Sequence, residues 1–250
     1  MNKRINTAMI LAAGRGERMR PLTDTLPKPL LEVRGKPLIE YHLEHLATAG
    51  IKRVVINHAW LGDKIVQRLG DGSRFNLEIM YSKEETALET AGGIKQALPL
   101  LSQDNPSGAF LVVNGDVFTD FSFVNMLDEL SAKSALLANE FPLAHLILVP
   151  NPPHNPDGDF YLRGGRVSKV LQQVPQNETP TCDGQWGKYT FSGIGVYRKA
   201  LFDSLTPTSL RLAPVLVDAM ANELVSGSLF EGLWIDIGTP ERLAQLNTQD

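Results

Sequence analysis

Apolar positions along this chain alternate between short dense runs and spaced stripes. The runs are Ala8 to Leu11, Arg53 to Asn57, Leu77 to Tyr81, Phe110 to Asn114 and Ala144 to Val149. Each is short and largely apolar, as a strand buried on both faces must be. Helical spacings lie between them. Pro37 opens a helix in which Leu38, Ile39, Leu43, Leu46 and Ala47 make one apolar stripe, and Gly50 supplies the stop. Asp63 to Leu69 and Gly92 to Leu98 read as two more helices. Strand and helix in alternation predict successive βα units, hence an α/β fold with a Rossmann-like, mostly parallel twisted sheet flanked by helices.

The rhythm changes near residue 150. Asn151 to Gly158 is dense in Pro, Asn and Asp and predicts a loop. Phe160 to Leu162 and Val167 to Leu171 flank a Gly-Gly pair and predict an antiparallel hairpin. Gln172 to Lys188 is polar and aperiodic, so a surface excursion is expected there. Thr190 to Tyr197 and Leu233 to Ile237 read as strands, Ala213 to Ala221 and Pro240 to Leu246 as helices. No linker or repeat interrupts the chain. One domain over 1–250 is expected, with the part from about 151 onward forming a small, partly antiparallel sub-lobe.

Composition narrows the function. A net charge of −4 offers no basic field for gripping a polyanion, so nucleic acid is not an expected partner. The single cysteine, Cys182, has no intrachain partner, which suits a reducing compartment. The apolar run Ala8 to Ala12 is too short for a signal segment or a membrane span. A cytoplasmic location with no membrane contact is therefore expected. The sequence leaves the oligomeric state open and is compatible with a monomer.

The most informative stretch is LAAGRGERMRPLTDTLPKPLLEV, from Leu11 to Val33. Gly14 and Gly16 let a loop close tightly after a strand, so that its amides can face a phosphate or a base. Arg15, Arg18 and Arg20 add positive charge to the same loop, and Lys28 is presented between Pro27 and Pro29. The loop is no dinucleotide fingerprint, since Met19 stands where a third glycine belongs, and it lacks the Gly-Lys-Ser/Thr of a P-loop. Taken alone it is also compatible with a plain glycine turn carrying solvated arginines.

Two aspartates close predicted strands, Asp116 in LVVNGDV and Asp236 in LWIDIGTPERL. Ligands of open α/β sheets gather at such ends, although an aspartate there often serves only as a turn or cap residue. Thr90, before Gly92 and Gly93, has the chemistry of a helix N-cap. His58 and Trp60 follow a strand on the expected ligand side. His42, His45, His145 and His154 have no metal-ligand spacing and carry no assigned chemistry.

The Leu11 to Val33 stretch resembles the signature of the sugar-phosphate nucleotidyltransferases at Gly14, Gly16, Arg18, Pro21, Pro27, Lys28 and Pro29. The resemblance implies a Mg²⁺-dependent transfer of a nucleotide to a sugar 1-phosphate, with release of pyrophosphate. It implies that Leu11, Ala12, Ala13, Gly14 and Gly16, with Gly92 and Gly93, bind the nucleotide. By the same likeness Arg18 and Lys28 act on the reacting phosphate, and Asp116 and Asp236 hold the metal. Asn114, Gly193 and His58 are implied at the substrate. Residues 1–150 would form the nucleotide-binding part and 151–250 the sugar-binding part. NHAWLG (Asn57 to Gly62), LETAGGI (Leu88 to Ile94), TFSGIGV (Thr190 to Val196) and IDIGTPERL (Ile235 to Leu243) resemble a uridylyltransferase branch of cell-wall recycling, so UTP is the expected nucleotide. A guanylyl- or thymidylyltransferase acting on mannose or glucose 1-phosphate, and a non-catalytic nucleotide-sugar-binding regulator, remain as alternatives.

Overall fold

A computed structural model of the chain describes residues 4–105, 108–136, 142–170 and 186–248. All but the last three residues of the Gln172 to Lys188 excursion lie outside them. The strands of the first half are β1 (Thr7–Leu11), β2 (Glu32–Val33), β3 (Lys36–Pro37), β4 (Arg53–His58), β5 (Glu78–Lys83), β6 (Ala109–Asn114) and β7 (Val117–Thr119). Those of the second half are β8 (Ala144–Val149), β9 (Phe160–Arg163), β10 (Arg166–Ser168), β11 (Gly187–Arg198), β12 (Val225–Leu229) and β13 (Trp234–Asp236). The helices are α1 (Leu22–Thr25), α2 (Leu38–Thr48), α3 (Gly62–Leu69), α4 (Glu89–Ser102), α5 (Phe123–Leu136), α6 (Leu212–Ala221) and α7 (Pro240–Thr248).

Nine strands form one sheet in the order β5-β4-β1-β6-β11-β8-β12-β10-β9. The β5-β4-β1-β6 part is parallel throughout, which delivers the ends of β1, β4 and β6 to one rim. β11 enters antiparallel between β6 and β8, and β12 then runs parallel to β8. Strands from beyond residue 150 are thus built into the middle of the sheet. Only the β9–β10 hairpin, turning at Gly164 and Gly165 with positive φ at both, lies at the outer edge.

Alternation along the strands sorts side chains to two faces. Ala8, Ile10, Val54, Ile56, Leu111 and Val113 pack with α2, α3 and α5. Met9, Val55, Phe110 and Val112 pack with α4 and α6. The result is a helix–sheet–helix sandwich. α5 has the spacing of a helix in its own sequence, since Phe123, Met126, Leu127 and Leu130 recur on one buried stripe. A third, smaller cluster joins distant parts of the chain: Met19, Leu31, Val33 and Leu38 from the N-terminal region meet Ile237, Leu243 and Leu246. Ile237 and Met19 are fully buried, and burial of a side chain of that size contributes roughly 1.5–3 kcal/mol.

The strand predicted at Leu233 to Ile237 does not join the main sheet. It forms β13 and pairs with β7 in a separate antiparallel ribbon. Thr90 is not an N-cap: α4 begins at Glu89, after Leu88. The amides of Ala91 and Gly92, which open the helix, both donate to the carbonyl of Leu210, at 2.9 and 3.1 Å. A loop from a distant part of the chain replaces the side-chain cap.

Candidate active site

The rim reached by β1, β4 and β6 opens into a cleft of about 340 Å³. Leu11, Ala12, Ala13 and Gly14 form one wall, Ala87, Glu89 and Thr90 the facing wall. Asn57 and Glu84 lie at the base, and Lys28, Asn114 and Asp116 line the third side. A Cβ on Gly14 would meet nothing within 4 Å. The protein's own packing therefore does not require glycine there, and the bare backbone serves to leave the cleft open.

Gly16 is a different case. It adopts φ 68°, and a Cβ would press on Thr23 Cγ2 at 3.1 Å and Lys28 Cβ at 3.4 Å. It turns the loop behind the cleft and lets Lys28 seat closely, without lining the cavity itself. The lysine reaches Asp116, with Nζ 2.5 Å from Oδ2, and its side chain is only 11% exposed.

Asp236 lies next to Asp116 through the small ribbon. Asp236 is the register partner of Val117, and the Ile237 amide donates to the Asp116 carbonyl at 2.8 Å. Arg242, in the first turn of α7, places Nη1 2.6 and 2.7 Å from the two carboxylate oxygens of Asp236. His154, from the loop that precedes β9, places Nε2 2.9 Å from Oδ1. Gly238 packs among these groups: its Cβ would stand 2.9 Å from Arg242 Nη1, 3.0 Å from Asp236 Oδ2 and 3.4 Å from Arg18 Nη2. Arg18, Asp236 and Arg242 thus crowd one point around Gly238, beside the small ribbon, and neither Arg18 nor Asp236 lines the cleft itself. The sequence assigns no chemistry to His154 and does not mark Arg242, yet both meet Asp236. A histidine in a Pro/Asn loop and an arginine in a helix carry no signal until the fold brings them to the aspartate.

The three loop arginines do not act alike. Arg15 donates to the Thr23 carbonyl, pairs with Asp24 and stacks over Trp60 at 3.9 Å. Arg20 pairs with Asp24 and Glu17. Arg18 is exposed and makes no hydrogen bond or ion pair among the described residues. It is the loop cation free to meet an incoming anion.

Three further expected groups also stand off the cleft wall. His58 is 4% exposed, lies edge-on to Tyr81, and packs so tightly under Gly62 that a Cβ there would sit 1.9 Å from Nδ1. Burial lowers its pKa from the ordinary value. His58 is a packing residue beneath the rim, because the strand ends with its side chain turned inward. Gly92 and Gly93 are also buried behind the wall, their hydrogens facing the Thr208 carbonyl and the Glu84–Asn57 pair. Gly193 has φ 79° at the irregularity in β11 and lies against Asn114, whose Nδ2 is 2.5 Å from the position of a Cβ. It shapes the cleft through Asn114.

These features define a class: an α/β protein with an anion-receptive cleft at the carboxyl ends of its parallel strands, equipped with free and paired cations and two neighbouring carboxylates. The sequence pattern of the nucleotidyl transferase family matches residues 7–250, and the chain belongs to that family. It is 52% identical over 241 residues to the N-acetylmuramate alpha-1-phosphate uridylyltransferase of Neisseria meningitidis serogroup B, covering 95% of each chain. It is 30% identical to the mannose-1-phosphate guanyltransferase of Hypocrea jecorina, over 93% of this chain and 61% of that longer protein. The crystal structure of HddC from Yersinia pseudotuberculosis shares the fold, with a TM-score of 0.71 at 21% identity over 97% of this chain and 98% of that one.

Proposed function

We propose that the protein joins UTP to N-acetylmuramate α-1-phosphate, forming UDP-N-acetylmuramate and pyrophosphate in cytoplasmic peptidoglycan recycling. The observation that carries this reading is the 52% identity to the meningococcal uridylyltransferase, which runs over 95% of both chains and so spans nucleotide and sugar regions alike.

A phosphate oxygen of the sugar phosphate attacks the α-phosphate of the nucleotide in line, and pyrophosphate departs. The acceptor is already an anion, so the reaction needs no protein nucleophile and no general base. What remains for the protein is alignment and charge. The backbone of Leu11 to Gly14 lines one wall for the nucleotide, with the Ala12 amide already committed to Asn57, while Gly16 keeps the loop close to Lys28. Arg18 and Lys28 face the phosphates as negative charge shifts toward the leaving pyrophosphate. Asn114, backed by Gly193, contacts the sugar phosphate. Gly92 and Gly93 support the base-facing wall from behind.

Asp116 and Asp236 suit a hard divalent cation, since two carboxylates plus substrate phosphate oxygens is the usual Mg²⁺ donor set. Their present partners support that fit: each carboxylate already attracts a cation, Lys28 to one and Arg242 to the other. A bound Mg²⁺ would supply neutralisation of triphosphate charge.

The test is pyrophosphate release measured across the four nucleoside triphosphates and a panel of sugar 1-phosphates. Turnover is expected to be highest with UTP and N-acetylmuramate 1-phosphate. A preference for GTP with mannose 1-phosphate, or nucleotide binding without any turnover, contradicts the proposal.

A further inference from the structure

A chain of buried hydrogen bonds runs across the base of the cleft. The Ala12 amide donates to Asn57 Oδ1 at 2.9 Å. Asn57 Nδ2 donates to Glu84 Oε1 at 2.7 Å. Glu84 Oε2 accepts from the Leu88 amide at 2.9 Å. Asn57 is 3% exposed and Glu84 2%. The chain therefore begins at one wall of the cleft, the β1 loop, and ends at the other, where Leu88 precedes Glu89 and Thr90. β4 carries Asn57, and Glu84 immediately follows β5, so two adjacent parallel strands hold the link rigidly.

The surroundings hold this link in place. The amide of Glu84 donates to the His58 carbonyl at 2.8 Å, which fixes the start of the segment that carries the carboxylate. A side chain at Gly93 would have its Cβ 2.6 Å from Glu84 Oε1 and 2.9 Å from Asn57 Nδ2. The absence of a side chain at 93 leaves room for this pair. The far wall also holds Glu89 at φ 57°, an uncommon backbone angle for a residue other than glycine, so it needs external support.

We propose that Asn57 and Glu84 are positioning residues that set the distance between the two walls of the nucleotide cleft. The proposal rests on the reading of that cleft as the nucleotide site. Polarity makes it testable. The Ala12 N–H requires an acceptor from residue 57, and the Leu88 N–H requires one from residue 84. Between these two fixed ends the central bond needs one donor and one acceptor, in either order. As the chain stands, the amide of Asn57 donates and the carboxylate of Glu84 accepts. Glu84→Gln alone leaves two donors facing each other, and Asn57→Asp alone leaves two acceptors. Combining Asn57→Asp with Glu84→Gln reverses the central bond, keeps all three bonds satisfied and conserves the net charge.

The experiment titrates the full-length protein and its three variants with the nucleoside triphosphate that the wild type binds, by calorimetry. Thermal unfolding and the KM and kcat for both substrates are measured alongside. Each single variant is expected to bind nucleotide about tenfold more weakly, the scale of one mismatched buried hydrogen bond. The expected split is a raised nucleotide KM with kcat and the sugar-phosphate KM held within about twofold, because the reacting groups stay in place. The double variant is expected to recover both affinity and thermal stability.

Single variants that melt earlier yet bind nucleotide as tightly as the wild type would reduce the pair to a structural role and overturn the proposal. A double variant no better than the singles, or one that recovers stability without affinity, overturns it too. If the singles do not fold, the double variant still decides by the same criterion. A wild type that prefers another triphosphate to UTP refutes the proposed substrate, and the pair is then judged with that triphosphate.

Discussion

The amide of Ile237 donates to the carbonyl of Asp116 at 2.8 Å, although the two residues are far apart in the chain. That bond continues the β7–β13 ribbon by one step and sets Asp236 beside the turn that carries Asp116. Ile237 is fully buried among Met19, Leu31 and Leu243, so the ribbon is anchored to the underside of the glycine loop. The loop, Asp116 and Asp236 are thus three parts of one packed unit.

From this arrangement follows the first expectation. Asp116→Asn and Asp236→Asn should each lower kcat by roughly two to three orders of magnitude, as loss of a group that stabilises transition-state charge does. Pyrophosphate release at saturating Mg²⁺ is the measurement, and a rate near wild type for either variant removes that aspartate from the chemistry.

The loop arginines separate cleanly. Arg18→Gln is expected to reduce kcat/KM by about 100-fold, because an unpaired cation is lost from beside Asp236. Arg15→Gln and Arg20→Gln should leave catalysis within a few-fold, since those guanidinium groups are held by Asp24 and Glu17. Their cost is in stability, at most about 1 kcal/mol for partly exposed pairs. Equal catalytic losses across the three variants would show that pairing does not matter here.

Gly238→Ala is predicted to impair activity more than stability. The new methyl would meet only the ends of flexible side chains, Arg242 Nη1 at 2.9 Å and Asp236 Oδ2 at 3.0 Å, so the fold can yield without backbone movement. What yields is the arginine–aspartate pair itself. The signature is a melting temperature close to wild type together with weakened Mg²⁺ binding, read by titration calorimetry in the presence of nucleotide.

Acid sensitivity should trace in part to His42. Burial lowers its pKa from 6.5 to about 4, with His45 contributing in the same direction, while a hydrogen bond to the Val117 backbone and the charge of Asp116 oppose the shift. The unfolded chain takes up this proton below about pH 6.5, but the folded protein resists it until about pH 4. The stabilising contribution is therefore complete above pH 6.5 and is lost as pH falls toward 4. Between pH 7 and pH 5 the wild type should lose about 2 kcal/mol more than His42→Asn in urea unfolding. Parallel losses in the two proteins would assign the acid sensitivity elsewhere.

Several parts of this protein were determined locally by its sequence. Buried runs such as Ala8 to Leu11 and Phe110 to Asn114 can satisfy their backbone and side chains only as interior strands, and the stripe from Leu38 to Leu46 only as a helix. Gly14, Gly16, Arg18 and Lys28 fall within one short stretch, so their nearness to one another needed little from the rest of the chain. The tertiary structure decided everything that depends on distant contacts. It inserted β11 between β6 and β8, withdrew β13 from the main sheet to pair with β7, and capped α4 with the Leu210 carbonyl in place of Thr90. It turned His58 inward and supplied His154 to Asp236. The physical reason is range. Periodicity and turn chemistry act over a few residues, whereas the strand pairings and the helix cap that assemble the site join segments far apart in the chain.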